Sequence, residues 1–207
     1  CEKADGPTTG VDTIFPMGQG WLYSVLDHCR GGRATAIEIP DAPDGTTCMG
    51  LFASRGESRY LIVSAFNLKR GAGQSREIAV SIPKGRLDLA GAPTIGMVRL
   101  TEDNCLHRVI KKDLTEAGLL APAFAAHEPL LGPAFAMARG GRPVARRFLA
   151  ARRQKYERHF IESLTLKPFA GRCTDKGDAC ELSFEVAPDS VTVVALNHRP
   201  AAAATAP

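Results

Sequence analysis

The sequence predicts a mainly β protein with a helical insertion, that is, an α+β antiparallel β-sandwich with its helices packed on one edge. Two blocks, residues 48–103 and 163–197, hold short segments in which apolar and polar residues alternate, so each block offers strands with one apolar face. Between them, residues 104–162 carry apolar residues at helical spacing. Because a sheet with one apolar face must cover it, we expect both blocks to share one core.

The composition sets limits on the class of protein. The chain has 207 residues, 44% of them hydrophobic and 23% charged, which is ordinary for a globular protein and excludes general disorder and fibrous repeats. No apolar run reaches the roughly 18 residues that a transmembrane helix requires. We therefore expect no membrane span.

The N-terminal quarter is predicted as two segments. Residues 1–15 are loop-like, and residues 16–47 hold a helix and then a strand at 35–40. The helix is predicted from four residues at i, i+3, i+4 and i+7, namely Leu22, Val25, Leu26 and Cys29.

Residues 48–197 are assigned to the sandwich. The first block is expected to be an antiparallel meander of four strands, at 48–55, 60–68, 76–83 and 93–103. In the third of these strands, Ile78, Val80 and Ile82 lie on one face. Strands return at 163–170, 180–188 and 190–196. Residues 198–207 are predicted to be a disordered tail.

The insertion is expected to contain two helices. The first covers residues 107–120, with Ile110, Leu114 and Ala117 on one face and Gly118 as its C-cap. Residues 121–142 are rich in Ala, Pro and Gly and are predicted to be irregular. A single helix then covers residues 143–164, with one apolar side formed by Leu149, Tyr156, Phe160 and Leu164.

The positive charge is concentrated in the insertion. Residues 139–158 hold eight Arg and Lys against one acid, Glu157, so this segment sums to +7 while the whole chain sums to +4. Clustered arginines can bind polyanions or anionic lipids. Since the aromatic residues of this segment are needed on the core side, we favour a solvated helix face and predict no nucleic-acid partner.

Six cysteines indicate an oxidising compartment. Cys173 and Cys180 lie in a polar loop between two strands, and we predict a disulfide that closes this hairpin. Cys29 and Cys48 are expected to be buried, and Cys105 has no obvious partner. The protein is therefore predicted to be secreted, periplasmic or on the cell envelope.

The first residue, Cys1, has three interpretations. The chain is a fragment of a longer protein, or a lipoprotein with its lipid on Cys1, or an enzyme that uses Cys1 as an N-terminal nucleophile. Of these three interpretations, we favour the fragment most and the N-terminal nucleophile least.

Motifs for common chemistries are absent from the sequence. It contains no G-x-S-x-G, H-E-x-x-H, P-loop or G-x-G-x-x-G, and its five histidines do not pair at metal-ligand spacing. We predict no cofactor and no metal. Asp103, Cys105 and His107 alternate and could point one way, but a polar strand end or a helix entry explains this pattern more simply.

Most of residues 16–197 resemble a known family. The order of GQGWLYSVLDHC, AIEIP and GLFASRGESRYLIVSAFNLK resembles the end of a catalytic barrel that passes into an accessory sandwich. The segments MVRLTEDNCLHRVIKKDLTEAGLL, YERHFIESLTLKPF and APDSVTVVAL are similar to the C-terminal part of retaining clan-A glycoside hydrolases, with family 39 nearest. The resemblance implies that residues 16–47 belong to the end of the barrel and that residues 188–196 are the closing strand.

The resemblance also implies where catalysis occurs. In the family, an acid/base Glu in an Asn-Glu-Pro-like context lies on the barrel, and this sequence has no Asn-Glu pair. No catalytic residue is carried over, although Glu2 would stand near the nucleophile position if the chain began just after a late barrel strand. We expect the accessory sandwich of a secreted glycoside hydrolase, supporting a barrel in an upstream chain or domain and acting on polysaccharide or oligosaccharide.

Two other functions remain open. One is a non-catalytic envelope lipoprotein that binds glycan or a protein partner, and the other is an amidase that depends on Cys1. The chain has only one Trp and 6% aromatic residues, which disfavours a dedicated sugar-binding module because such sites stack sugar rings on exposed aromatic side chains.

Overall fold

The chain divides into two compact units. In the computed structural model, the described residues are 2–3, 14–15, 26–27, 30–39, 46–55, 58–67, 74–87, 94–101, 104–127 and 135–196. One unit, here called the helical unit, comprises residues 1–24 and 102–164. The other, the sandwich unit, comprises residues 25–101 and 165–207.

The sandwich unit contains two antiparallel sheets. The large sheet has the strand order β3-β4-β5-β11-β7-β8, and the small sheet has the order β6-β10-β9. The strands are β3 (Arg33–Glu38), β4 (Thr46–Arg55), β5 (Ser58–Asn67), β6 (Arg76–Pro83), β7 (Ile95–Leu100), β8 (Lys167–Pro168), β9 (Gly171–Asp175), β10 (Ala179–Val186) and β11 (Ser190–Leu196). A short helix, α1 (Lys84–Leu87), follows β6. The mainly antiparallel α+β sandwich is therefore confirmed.

One hydrophobic core joins the two sheets. On β6 the buried and exposed residues alternate, and Ile78, Val80 and Ile82 lie on the buried face, as the alternation in the sequence predicted. Leu182 and Phe184 on β10 face the same core. Burial of each such side chain contributes about 1.5–3 kcal/mol. The large sheet supplies the opposite wall with Cys48, Phe52, Leu61, Val63, Ala65, Met97, Val194 and Leu196.

The strands are not connected as the predicted meander. β3, β4 and β5 do follow one another as neighbours, but β6 leaves the large sheet and pairs with β10. β7 returns to the large sheet and pairs with β11, which also pairs with β5. Alternation reveals that a strand has one apolar face but not which sheet it joins, so the sequence could not separate these two topologies.

The bounds of several predicted elements also differ from those in the structure. The strand predicted at 35–40 is β3, and it forms an edge of the large sheet. Of the strand predicted at 163–170, residues 163 and 164 are the end of a helix, and only Lys167 and Pro168 pair with β7. Residues 1–15, predicted as a loop, include a short antiparallel pair, β1 (Glu2–Lys3) and β2 (Ile14–Phe15). Of the helix predicted over 16–29, only residues 26 and 27 are described, and they are helical.

The described part of the helical unit contains four helices of six residues or more. They are α2 (Leu106–Glu116), α3 (Pro122–His127), α4 (Gly141–Ala151) and α5 (Arg153–Leu164). Their core includes Ile110, Leu114, Leu149 and Tyr156, all predicted to face inward. Ala117 is exposed, contrary to expectation, because α2 ends at Glu116. Gly118 follows with φ of +68°, the left-handed conformation expected after a helix C-terminus.

Two predictions for the insertion are wrong. Residues 121–142 are not wholly irregular, since they include α3 and the start of α4. The single helix predicted over 143–164 is two helices that meet at Arg152, whose φ of −115° departs from helical geometry. All six residues between Leu149 and Tyr156 are exposed, so no buried side chain holds one continuous helix there.

We predict that residues 45–105 do not fold alone. The pairing partners β10 and β11 come from later in the chain, so a 45–105 fragment leaves β6, β7 and one edge of β5 without their neighbours. A matched control joins residues 25–101 to 165–207 through a short linker and supplies both partners. We expect cooperative urea unfolding and dispersed amide resonances from the control but not from the fragment. A cooperative transition in the fragment contradicts the prediction.

Candidate functional site

A cleft of about 440 Å³ lies at one end of the small sheet, and we call it the small-sheet cleft. Its lining comes from the start of β6, the end of β10 and the start of β9. Most of the lining is polar or charged and includes Ser75, Arg76, Glu77, Arg172, Ser183 and Glu185. These groups can donate and accept hydrogen bonds to a hydroxyl-rich ligand.

Strand register places charged groups opposite one another in this cleft. Glu77 on β6 lies directly opposite Glu185 on β10, and Ser183 lies opposite Arg172 on β9. Facing carboxylates destabilise a strand pair unless positive charge offsets them. Arg172 lies opposite Ser183 and therefore on the same face as Glu185, so register places one positive charge diagonally beside the facing pair.

Gly171 lines the cleft at a position where the chain leaves no room for a side chain. A Cβ atom at Gly171 would lie only 2.4 Å from the Ser183 carbonyl oxygen and 2.6 Å from the Phe169 ring. The rings of Phe169 and Phe184 meet edge to face with centroids 5.9 Å apart. Any larger residue at position 171 therefore displaces β9 or this aromatic pair.

Arg99 joins the two sheets beside this cleft. It lies on β7 opposite Thr192, and its guanidinium donates a hydrogen bond to the main-chain carbonyl of Glu185 on β10. Because β7 belongs to the large sheet, this bond fixes the cleft end of β10 against the opposite layer.

The two cysteines predicted to form a disulfide are close together but are thiols in the structure. Cys173 is exposed on β9, Cys180 is buried on β10, and their Sγ atoms lie 2.7 Å apart. The Lys84 ammonium lies 2.7 Å from an Asp175 carboxylate oxygen next to the pair. The hydrogen bond from Lys84, with a second from the Gly177 N–H, lowers the pKa of Asp175.

The other predicted cysteines are dispersed. Cys48 is buried in the sandwich core, as expected, while Cys1 and Cys29 lie outside the described residues. Cys105 is the residue before α2, and its sulfur lies 3.4 Å from His107 Nε2. Asp103 lies outside the described residues, and Cys105 and His107 lie at the start of α2, so of the two simple explanations, a polar strand end or a helix entry, the described residues show the second.

A buried polar cluster in the helical unit was not found from the sequence. The Asp113 carboxylate on α2 accepts hydrogen bonds from Lys155 Nζ, at 2.6 and 2.7 Å, and from the Tyr156 hydroxyl at 3.0 Å. Burial, then the hydrogen bond to Asp113, raises the pKa of Tyr156 well above its usual range. The only available signal was that Asp113 adjoins Leu114 on the apolar side of α2, and such positions usually hold apolar residues.

The basic segment forms a largely solvated surface. Arg142, Arg147 and Arg158 are exposed, and Arg153 pairs with Glu157 at 2.5 Å. The Arg152 guanidinium lies 3.7 Å from the centroid of the Phe148 ring, so its charge covers an aromatic face. That this segment is a solvated helix face without a nucleic-acid partner stays a prediction.

The described residues lack two further features. No group of three or more His, Cys, Asp or Glu side chains there is arranged to hold a metal ion. None of the helices in that part of the chain has the length and apolar character needed to cross a bilayer.

Comparison with known proteins adds no assignment to this geometry. No protein-family model matches the chain, and no match was found among curated proteins. The function must therefore be argued from the residues themselves.

We predict that Tyr156→Phe destabilises the protein. The substitution removes the hydroxyl that donates to the Asp113 carboxylate in a fully buried position, and such a bond to a charged group contributes about 1.5–3 kcal/mol. Urea unfolding at neutral pH measures the loss. Lys112→Ala, which removes an exposed ion pair on α2, the helix that carries Asp113, should cost less than about 0.5 kcal/mol. Equal effects of the two substitutions contradict the assignment.

The same hydroxyl should make stability depend on alkaline pH. The folded-state pKa of Tyr156 is raised, so the unfolded chain ionises first as the pH passes about 10. Below that pH the tyrosine is neutral in both states and its contribution is complete. Above it the free energy of unfolding should fall by up to about 1.4 kcal/mol per pH unit more than in Tyr156→Phe. Unfolding curves from about pH 8 to about pH 11 test this, and a difference between the two proteins that does not change with pH refutes it.

Proposed function

We propose that the chain is the C-terminal accessory sandwich of an exported glycoside hydrolase and supports a catalytic barrel that other residues supply. The observation that carries the proposal is the position of β11. The residues that resemble the closing strand of such enzymes, 188–196, include this strand, which lies inside the large sheet and is buried on both faces. A strand in that position makes the C-terminal block an integral part of one sandwich.

The arrangement of acidic residues fits a supporting role. Retaining hydrolysis needs one neutral and one ionised carboxyl held in an environment that excludes water. Glu77 and Glu185 face each other, but both are exposed on the outer side of the small sheet. Glu38 is exposed on the edge strand β3. None of these three carboxyls has the burial that this chemistry needs.

The cysteines support the exported location in this proposal. A hairpin that brings two thiol sulfurs within 2.7 Å is prepared to form a disulfide in an oxidising compartment. We therefore retain the disulfide between Cys173 and Cys180 as part of the proposal.

A second candidate is a non-catalytic envelope protein that binds glycan through the small-sheet cleft. The cleft favours it because Arg172, Ser183 and Glu185 offer several hydrogen-bonding groups at one opening. The two candidates differ in whether the sugar is turned over by a partner domain or only bound.

We predict no glycosidase turnover by the isolated chain, because it lacks a water-excluding carboxylate pair among the described residues. The chain is assayed on aryl β-xylosides, glucosides and iduronides, alone and as part of the complete natural coding sequence. We expect turnover only from the complete protein, and turnover that survives Glu77→Gln and Glu185→Gln.

Other outcomes decide against the proposal. Turnover by the isolated chain that is lost in Glu2→Gln or Cys1→Ala places catalysis in the chain itself. A complete coding sequence without a barrel also refutes the proposal. If the chain then binds xylo-oligosaccharides, and binding is lost in Arg172→Ala but kept in Arg158→Ala, the glycan-binding alternative is supported.

A further inference from the structure

The hairpin of β9 and β10 holds its two cysteines at diagonal positions. Residues Gly177 and Asp178 form a tight two-residue turn, with φ of +79° at Gly177 and a hydrogen bond from Lys176 N–H to Ala179 carbonyl oxygen. In the resulting register Cys173 lies opposite Leu182, and Cys180 lies opposite Asp175. The two cysteines share one face of the sheet and lean toward each other across the diagonal.

We propose that Cys173 and Cys180 form a thiol–disulfide exchange site, in which Cys173 attacks a small disulfide and Cys180 resolves the product. This inference does not depend on the proposed glycosidase, because it rests on the hairpin alone.

The two thiols differ in access. Cys173 is exposed, whereas Cys180 is 5% exposed and packs in the sandwich core. An incoming disulfide therefore reaches the sulfur of Cys173 and not that of Cys180. The structure assigns attack to the first cysteine and resolution to the second.

The electrostatics also favour Cys173 as the attacking residue and Cys180 as the resolving residue. Burial, followed by the hydrogen bond and the charge of Cys173, raises the pKa of Cys180 to about 12, and the Asp175 carboxylate adds to the effect. Cys180 therefore remains protonated until the mixed disulfide forms, with its sulfur 2.7 Å from that of Cys173. The thiolate is the attacking species in exchange, so the first attack falls to the exposed Cys173.

The exchange reaction balances with a small-molecule disulfide as the oxidant. The Cys173 thiolate forms a bond to one sulfur of the reagent and releases the other half as a thiolate, which takes up a proton. Cys180 then gives its proton to the thiolate released in the first step, and its own thiolate attacks the sulfur of Cys173. The second half of the reagent leaves as a thiolate and takes up a proton from solvent. Two protein thiols are oxidised to one disulfide, and the reagent is reduced to two thiols.

The closed form stays accessible to reductants. Cys173 is exposed on β9, which lies at the edge of the small sheet, so a thiol can reach its sulfur and reopen the bond.

The full chain tests the proposal with oxidised and reduced glutathione as probes. Samples are quenched by alkylation at set times, and intact and peptide masses identify the product. We expect the wild-type protein to close to an intramolecular disulfide and to reopen in reduced glutathione. Cys180→Ser should accumulate a mixed disulfide on Cys173, while Cys173→Ser should react at least about tenfold more slowly.

Controls keep the result interpretable. Cys48→Ser alters another buried thiol of the same core and should leave closure and reopening unchanged. Cys180→Ala repeats the trapping in case a buried serine disturbs folding, and circular dichroism checks both variants. Equal reaction of Cys173→Ser and Cys180→Ser overturns the proposal, as does a wild-type protein that never closes or that does not reopen.

Discussion

β11 is the strand on which the sandwich depends. It pairs with β5 on one side and with β7 on the other, so it joins two strands that do not pair with each other. Its inward side chains Val194 and Leu196 enter the core between the sheets, and Val193 and Ala195 on the opposite face are buried as well. The large sheet cannot be completed until β11, the last of the described strands, is in place. Because these pairings join distant parts of the sequence, the entropy of loop closure must be offset before they stabilise the fold, and folding is expected to be slow.

The helical insertion is tolerated because both of its ends are held by strands. β7 precedes it, β8 follows it, and these two strands pair with each other across the gap of more than sixty residues. The insertion itself has a separate hydrophobic core, and its buried Asp113 accepts hydrogen bonds from the buried Tyr156 and the exposed Lys155, which ties α2 to α5. Each unit thus has its own stabilising contacts. The pairing of β7 with β8 brings together the points where the chain leaves the large sheet and returns to it.

Local pattern predicted individual elements better than their connections. The alternation on β6 and β10 and the apolar spacing of α2 revealed which faces are buried, because burial follows the period of the backbone. Strand partners depend on contacts between distant residues, so nothing in the β6 segment itself could show that it joins β10 and not β7. The break between α4 and α5 at Arg152 could not be predicted either, since no proline or glycine marks it in the sequence. Of the candidate site, the proximity of Cys173 and Cys180 followed from a short polar loop. The small-sheet cleft and the Asp113 cluster could not be predicted, because both bring together residues more than forty positions apart.

The thiol and charged groups discussed above lie on or beside β9, because that strand is at the edge of its sheet. β9 is at the edge of the small sheet and supplies Cys173, Asp175 and the cleft residue Arg172. A central strand such as β11 is buried on both faces and can present no such groups to solvent. An edge strand exposes part of its surface and opens at lower free energy than the centre of a sheet. The neighbouring strand β10 is held at one end by the bond from Arg99 to the Glu185 carbonyl, whereas β9 has a free edge in the small sheet. The sandwich thus combines a central strand that is buried on both faces with an edge strand whose thiol and charged side chains reach solvent.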